Sequence, residues 1–365
     1  MMKRGARLLL LILAALLLLG CELEALYLNA YLEANQDALD SPMGTDETPI
    51  TFTIEPGQSV AEIAGNLKAN DLISDTELFR RYVQAKGLDA GIQAGTYALN
   101  QTMTLPEIAR TLQSGAVAEQ QVTIPEGKRL EEVAEIVAEQ TSIASADFLA
   151  FAQTGWSTTT LPQEYGFLAQ VPITGSLEGF LFPDTYRLPI DSTAADLVDR
   201  MLANFDAKVT PELHEAFATH GLTLVEGIAL ASIVEREAVQ DAERPVIAGV
   251  FHNRLRDGWP LSSCPTVQYA LGYRPDEESW WKRFLTFDDL EVVSTYNTYR
   301  NLGLPPGPIA SPGLDAIAAA AQPAETEFYF FMVDCSKEDG SHVFAANEAE
   351  HLANFDRCGG VITAP

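Results

Sequence analysis

Two stretches of the chain carry one pattern at a constant offset of 70 residues, and this repeat is the strongest constraint on its first half. They are "ITFTIEPGQSVAEIAGNL", from Ile50, and "VTIPEGKRLEEVAEIVAE", from Val122. Thr53-Ile54 matches Thr123-Ile124, Gly57 matches Gly127, Glu62 matches Glu132 and Ala64 matches Ala134. In the first copy, β-favouring residues lead into a Pro-Gly turn and then into apolar positions at helical spacing (Val60, Ile63, Ala64, Leu67). The reading is a duplicated strand–turn–helix unit. Between the copies, "AGTYALNQTMTLPEIARTLQSG" reads as strand, turn and helix.

Ahead of the repeat, Lys3, Arg4 and Arg7 precede an apolar run from Leu8 to Leu19. Charge before an apolar core is the layout of a signal peptide or signal anchor. The run is shorter than the roughly 20 residues of a full span. The expectation is an uncleaved anchor over 1–25 with its N-terminus in the cytoplasm; the alternative is a lipoprotein acylated on Cys21 of "LLGC". Either way the bulk of the chain lies outside the cytoplasm, at the cell membrane. Residues 26–49, rich in Glu, Asp, Asn, Ser and Pro, read as a tether. Cys335 and Cys358 flank one C-terminal unit and are candidates to pair in an oxidising compartment, with Cys264 left over. Three free thiols is the other reading.

A formal net charge of −28 argues against nucleic acid, whose phosphates require a basic stripe. It also argues against a broad surface patch for anionic lipid headgroups. With 365 residues, the chain is expected to form more than one domain. The segment from about 121 reads as one larger mixed domain. Helices are predicted over 222–239 and 244–258, the second with Pro245 in its first turn and Gly258 as its stop. "GLPPGPIASPG" (303–313) is too rich in Pro and Gly for a regular element. "DAIAAAAQ" reads as a short helix, and "EFYFFMVD" and "HVFA" as a hairpin turned by "DGSH". "NEAEHLANFD" reads as a last helix capped by Asn347. The fold class is α+β.

Neither P-loop, G-x-G-x-x-G, H-E-x-x-H nor G-x-S-x-G occurs, and no two of the five histidines have metal-ligand spacing. No metal or cofactor is expected. Carboxylates, amides and aromatics remain, an inventory suited to glycoside chemistry. "GSLEGFLFPDTYRL" (175–188) sets one acid, Glu178, in apolar and aromatic company. If 176–182 is extended, Glu178, Phe180 and Phe182 share a face. A carboxyl beside two phenyl rings loses hydration in its charged form, so its pKa rises and neutral acid persists near pH 7.

The stretch "SLEGFLFPDTYRL" resembles the signature of the endolytic murein transglycosylases, the YceG-like family. So do "ASIVEREA", "VFHNRL", "PTVQYALG", "YNTYRNLGLPPGPIASPGLDAI" and "GSHVFAANEAEH", in the family's order. The resemblance covers roughly 50–356. It implies that Glu178 is the catalytic residue and that the substrate is the peptidoglycan glycan strand. The implied reaction is non-hydrolytic cleavage of the β-1,4 bond after N-acetylmuramic acid. It also implies a membrane anchor, a LysM-like module and a neighbouring peptidoglycan synthase. "EPGQSVAEIA", "LISD" and "AGTY" carry the likeness to a LysM-like glycan-binding module. The organisation expected is anchor 1–25, tether 26–49, LysM-like module 50–120 and catalytic domain 121–362. Two departures stand out: Cys264 where the family usually has Asp, and Thr295 where it usually has Pro.

Supporting roles follow from residue type. Glu235 is a candidate to position the sugar or its acetamido group. Tyr296, Asn297 and Thr298, with Tyr299, form a polar-aromatic run suited to sugar stacking and amide recognition. Asp184 and Tyr186 are candidates to orient the Glu178 loop, and His342 and His351 to line the cleft. Two rivals remain: a muramidase delivering water with the same glutamate, and a non-catalytic wall-binding protein.

Overall fold

The computed structural model describes residues 26–113, 119–159, 161, 163–172 and 175–359. The expected anchor at 1–25, with Cys21, lies outside them. The chain divides into two compact units: the described residues up to Glu119 with Pro189–Asp191, and Gln120–Leu188 with the residues from Ser192 onward.

The first unit contains β1 (Ile50–Ile54), α1 (Val60–Ala69), α2 (Thr76–Lys86), β2 (Gly95–Leu99) and α3 (Leu105–Thr111). β1 and β2 are antiparallel, with Phe52 opposite Tyr97 and Ile50 opposite Leu99. Alternation sends Phe52 and Ile54 inward, against Ile63, Leu67, Phe79 and Val83 of α1 and α2. This core is separate from that of the second unit.

The second unit opens with β3 (Glu119–Thr123), α4 (Leu130–Gln140) and α5 (Ser145–Gln153), followed by β4 (Thr185–Pro189), which pairs with β3. Then come α6 (Ala194–Lys208), α7 (Pro211–Thr219), α8 (Leu224–Glu237), α9 (Arg244–Arg256), α10 (Cys264–Leu271) and α11 (Leu314–Ala321). The antiparallel hairpin β5 (Phe330–Val333) and β6 (His342–Ala345), and then α12 (Glu348–Arg357), complete it. α8 is buried on nearly every side, from Leu224 through Val234, which makes it the central helix. Its small residues Ala229, Ala231 and Ser232 admit α11, whose own face is Ala316, Ala319 and Ala320. Two-stranded pairs among many helices make an α+β fold.

Both copies of the repeat fold as strand, turn and helix, and their matched residues do matched work. Gly57 and Gly127 take φ of +87° and +73° in the turn, a region open to glycine. Glu62 and Glu132 each stand at the third helical position. Each accepts the N–H of the residue before its helix: Ser59 at 2.8 Å, Arg129 at 3.2 Å. Cys335 and Cys358 form a disulfide that ties the segment after β5 to the end of α12. Among the described residues no single helix is long and apolar enough to cross a membrane.

Candidate active site

Leu177, Phe180 and Leu181 are all fully buried, and one strand face could not bury all three. The stretch therefore forms a tight turn rather than the extended segment expected. Phe180 N–H bonds back to Leu177 O at 2.9 Å, with Gly179 at φ +82°. A Cβ at Gly179 would stand 2.4 Å from Pro308 Cβ, so the 303–313 loop packs directly on the turn. Phe180 packs onto Phe167 and Phe205. Downstream, Tyr186 Oη donates to Phe182 O at 2.6 Å, and Asn204 Nδ2 donates to Asp184 at 2.9 Å and to Tyr186 Oη at 3.1 Å. Asp184 and Tyr186 thus brace the chain leaving the turn.

This leaves Glu178 as a carboxyl only 4% exposed. Its Oε2 accepts two bonds, from Leu130 N–H at 3.0 Å and from Tyr269 Oη at 3.3 Å. Leu130 is the first residue of α4, so the carboxyl sits at a helix N-terminus. Oε1 is buried and has no hydrogen-bond partner among the described residues. Burial pushes the pKa from 4.5 up to about 8; the Leu130 N–H opposes this, nearby Glu131 adds to it, and Arg129 and the Tyr269 hydroxyl oppose it. The direction is the one expected from the apolar and aromatic company of the stretch.

Arg129 does not ion-pair with Glu178. Its guanidinium grips Glu131 through two bonds, 2.6 and 3.2 Å, which spends its charge on a different acid. The same guanidinium lies 4.3 Å from the Tyr269 ring and 4.6 Å from the Trp280 ring. Tyr269 in turn packs against Tyr296, the ring centroids 4.8 Å apart and the planes tilted by 44°. Arg236 lies 3.9 Å over Trp281, and the two indole N–H groups donate to Glu135 and Glu132 of α4. Arg129, Tyr269, Trp280 and Trp281 were not picked out from sequence. The available signals were the Trp-Trp pair in a chain of four tryptophans, and Lys128-Arg129 where the first repeat has Gln58-Ser59.

Of the polar-aromatic run, Tyr296 reaches the neighbourhood of Glu178; burial raises its pKa, and the Glu178 carboxylate adds to the rise. Asn297 instead donates to Leu290 O and Val292 O, and Thr298 bonds with Thr266 and Ser263 N–H, holding the loop. Glu235 contacts Arg244 at 3.2 Å and accepts Gly313 N–H at 3.1 Å. Glu237 is deeper, bonded to Ser263 Oγ at 2.6 Å with its pKa raised by burial. His342 Nδ1 lies 2.7 Å from Glu243, and the His351 ring stacks on Phe330. Cys264 Sγ stands 3.3 Å from Tyr299 Oη. Among the described residues no cluster of His, Cys, Asp or Glu has metal-binding geometry. A cavity of about 1220 Å³ lies beside His220 and His252 and shares no residue with Glu178's surroundings. The site is assigned by chemistry rather than by volume.

In this α+β protein the Glu178 carboxyl, buried, neutral at pH 7 and with one unpartnered oxygen, is a group suited to acid–base chemistry. The chain belongs to the YceG-like family, whose family model matches residues 52–357. It is 34% identical to a protein of Bacillus subtilis (strain 168) named endolytic murein transglycosylase, over 84% of this chain and 83% of that one. A protein of the same name from Streptococcus pneumoniae serotype 2 is 32% identical over 87% of this chain and 60% of its own length. The crystal structure of a yceG-like protein from Listeria monocytogenes superposes with a TM-score of 0.55 at 29% identity, covering 84% of this chain and 99% of that one.

Proposed function

We propose that the chain is an endolytic murein transglycosylase in which Glu178 is both acid and base. The observation that carries this is the Glu178 carboxyl itself: protonated at neutral pH, with one oxygen pinned and the other unpartnered. Neutral Glu178 gives its proton to the glycosidic oxygen between N-acetylmuramic acid and N-acetylglucosamine. The C1–O bond breaks and an oxocarbenium-like centre forms at the muramic acid carbon. The carboxylate left behind takes the proton of that sugar's C6 hydroxyl, whose oxygen closes on C1 to give the 1,6-anhydro sugar. The hydroxyl outcompetes water because it is held in place.

A hydrolase would need a second carboxylate, free to act as nucleophile or to activate water. Glu131, the acid whose charge bears on Glu178, is gripped bidentate by Arg129. This supports the transglycosylase reading over the muramidase. The β–α–α–β order of the first unit, with β1 antiparallel to β2, supports the LysM-like reading of that unit as a glycan-holding module. The apolar run ahead of it would hold the chain at the membrane, near peptidoglycan synthesis.

The test is a mass spectrum of uncrosslinked glycan strands treated with the wild type and with Glu178→Gln. Anhydro-ended fragments that vanish in the variant are the expected result. Reducing-ended fragments, heavier by one water, would make the protein a hydrolase; no cleavage with binding retained would make it a wall-binding protein.

A further inference from the structure

We propose that Tyr269 is a positioning residue that decides which oxygen of Glu178 carries the proton. The inference rests on Glu178 being the acid. Two donors, Leu130 N–H and Tyr269 O–H, converge on Oε2, at 3.0 and 3.3 Å. An oxygen that accepts two donors is a poor place for a third hydrogen: the Leu130 N–H has no lone pair to receive it, and Tyr269 would have to turn its hydroxyl from donor to acceptor. Oε1 has no partner among the described residues, so the proton rides there. Oε1 is therefore the oxygen that meets the glycosidic bond.

The arrangement also serves the second half of the reaction. Once Oε1 has given up its proton, the negative charge is shared with Oε2, where the two donors already stand. At 3.3 Å the tyrosine bond is longer than a strong O–H···O bond, and such bonds tighten as charge develops. Other groups also bear on Glu178. Glu131 and Arg129 precede or open α4, Tyr269 belongs to α10, and Tyr296 packs against Tyr269 from the 294–301 loop. Arg129 and Glu131 neutralise one another, and burial keeps both tyrosines in their neutral, donating form. Tyr269 is thus the side-chain donor available to Glu178. Its ring is held between the Arg129 guanidinium and the tilted Tyr296 ring.

The test uses the full chain with carbon-13 in its glutamate carboxyls, Glu178→Gln identifying the Glu178 signal. Tyr269→Phe keeps the ring and its contacts with Arg129 and Tyr296 but removes the donor. The Glu178 titration is expected to move upward, with kcat falling on the order of tenfold and KM for glycan strands nearly unchanged. Replacing Tyr269 with 3-fluorotyrosine, a stronger donor, is expected to move the titration the opposite way. A purely structural role would not reverse sign with donor strength. An unmoved titration in both variants would overturn the proposal, even if Tyr269→Phe lost activity. If the wild type cleaved no glycan, the functional reading would fall, while the titration would still decide the role of Tyr269.

Discussion

Replacing Glu178 with glutamine should change the protein's stability by an amount that depends on pH. In the unfolded chain a glutamate ionises near 4.5; in the folded protein burial holds this one neutral up to about 8. Below pH 4.5 both states keep the proton and the burial carries no ionisation penalty. As pH rises the unfolded state gains its charge and the folded state does not, so stability is lost until pH reaches about 8 and then levels off. At about 1.4 kcal/mol per pH unit, the interval from 4.5 to 7 amounts to about 3 kcal/mol. Glutamine does not titrate. Its amide oxygen accepts from Leu130 and Tyr269 as Oε2 does, and its amide hydrogens stand unpartnered where the acid's hydroxyl stood. One of these matches the acid's own unpartnered hydrogen, and the other adds a cost that does not vary with pH. The effect of the substitution is therefore expected to be about 3 kcal/mol more stabilising at pH 7 than at pH 4.5. Urea unfolding followed by tryptophan fluorescence reads it out well, because Trp156, Trp259, Trp280 and Trp281 all belong to the unit that holds Glu178. An equal effect at pH 5 and pH 7 would refute the reasoning.

Three further outcomes are expected. Glu131→Gln removes a negative charge and frees Arg129, so the Glu178 pKa should fall and the alkaline limit of cleavage should move to lower pH; an unmoved limit would show that the Arg129–Glu131 pair does not tune the acid. Gly179→Ala forces a side chain into a positive-φ position 2.4 Å from Pro308 and should cost at least about 2 kcal/mol in thermal or urea unfolding, with cleavage lost. Cys335→Ser opens a disulfide spanning 23 residues and should cost about 3 kcal/mol in unfolding under oxidising conditions, a difference that disappears when the wild type is reduced.

The parts legible in sequence were those encoded locally. α8, α9, α11, the β5–β6 hairpin and the capped α12 follow from helical spacing, a first-turn proline, a stop glycine and an Asn cap. Each of these acts within one turn of the residue that carries it. The repeat was legible because its turn glycines and first-turn glutamates answer to the same backbone demand twice. The turn at Glu178 was not, because alternating Leu, Gly and Phe satisfies a strand as well as it satisfies a turn. A positive-φ glycine packed under Pro308 is a tertiary fact. The surroundings of Glu178 were hidden for the same reason. Leu130 and Tyr269 come from 48 and 91 residues away, and nothing near them in sequence says that they meet. Asn297 and Thr298 look like ligand groups in sequence, yet the structure uses their polarity to tie loops together.

The most direct test of the central claim is the pH dependence of kcat/KM for anhydro-end formation between pH 4.5 and 9.5. One carboxyl serving as acid and then as base gives a plateau at low pH and a single fall through about 8, the ionisation of Glu178 in the free protein. A bell-shaped profile with a rise between pH 4 and 6 would mean that a second, ionised carboxylate is required. A fall near 4.5 would mean that Glu178 ionises like an exposed glutamate and is not a buried, neutral acid.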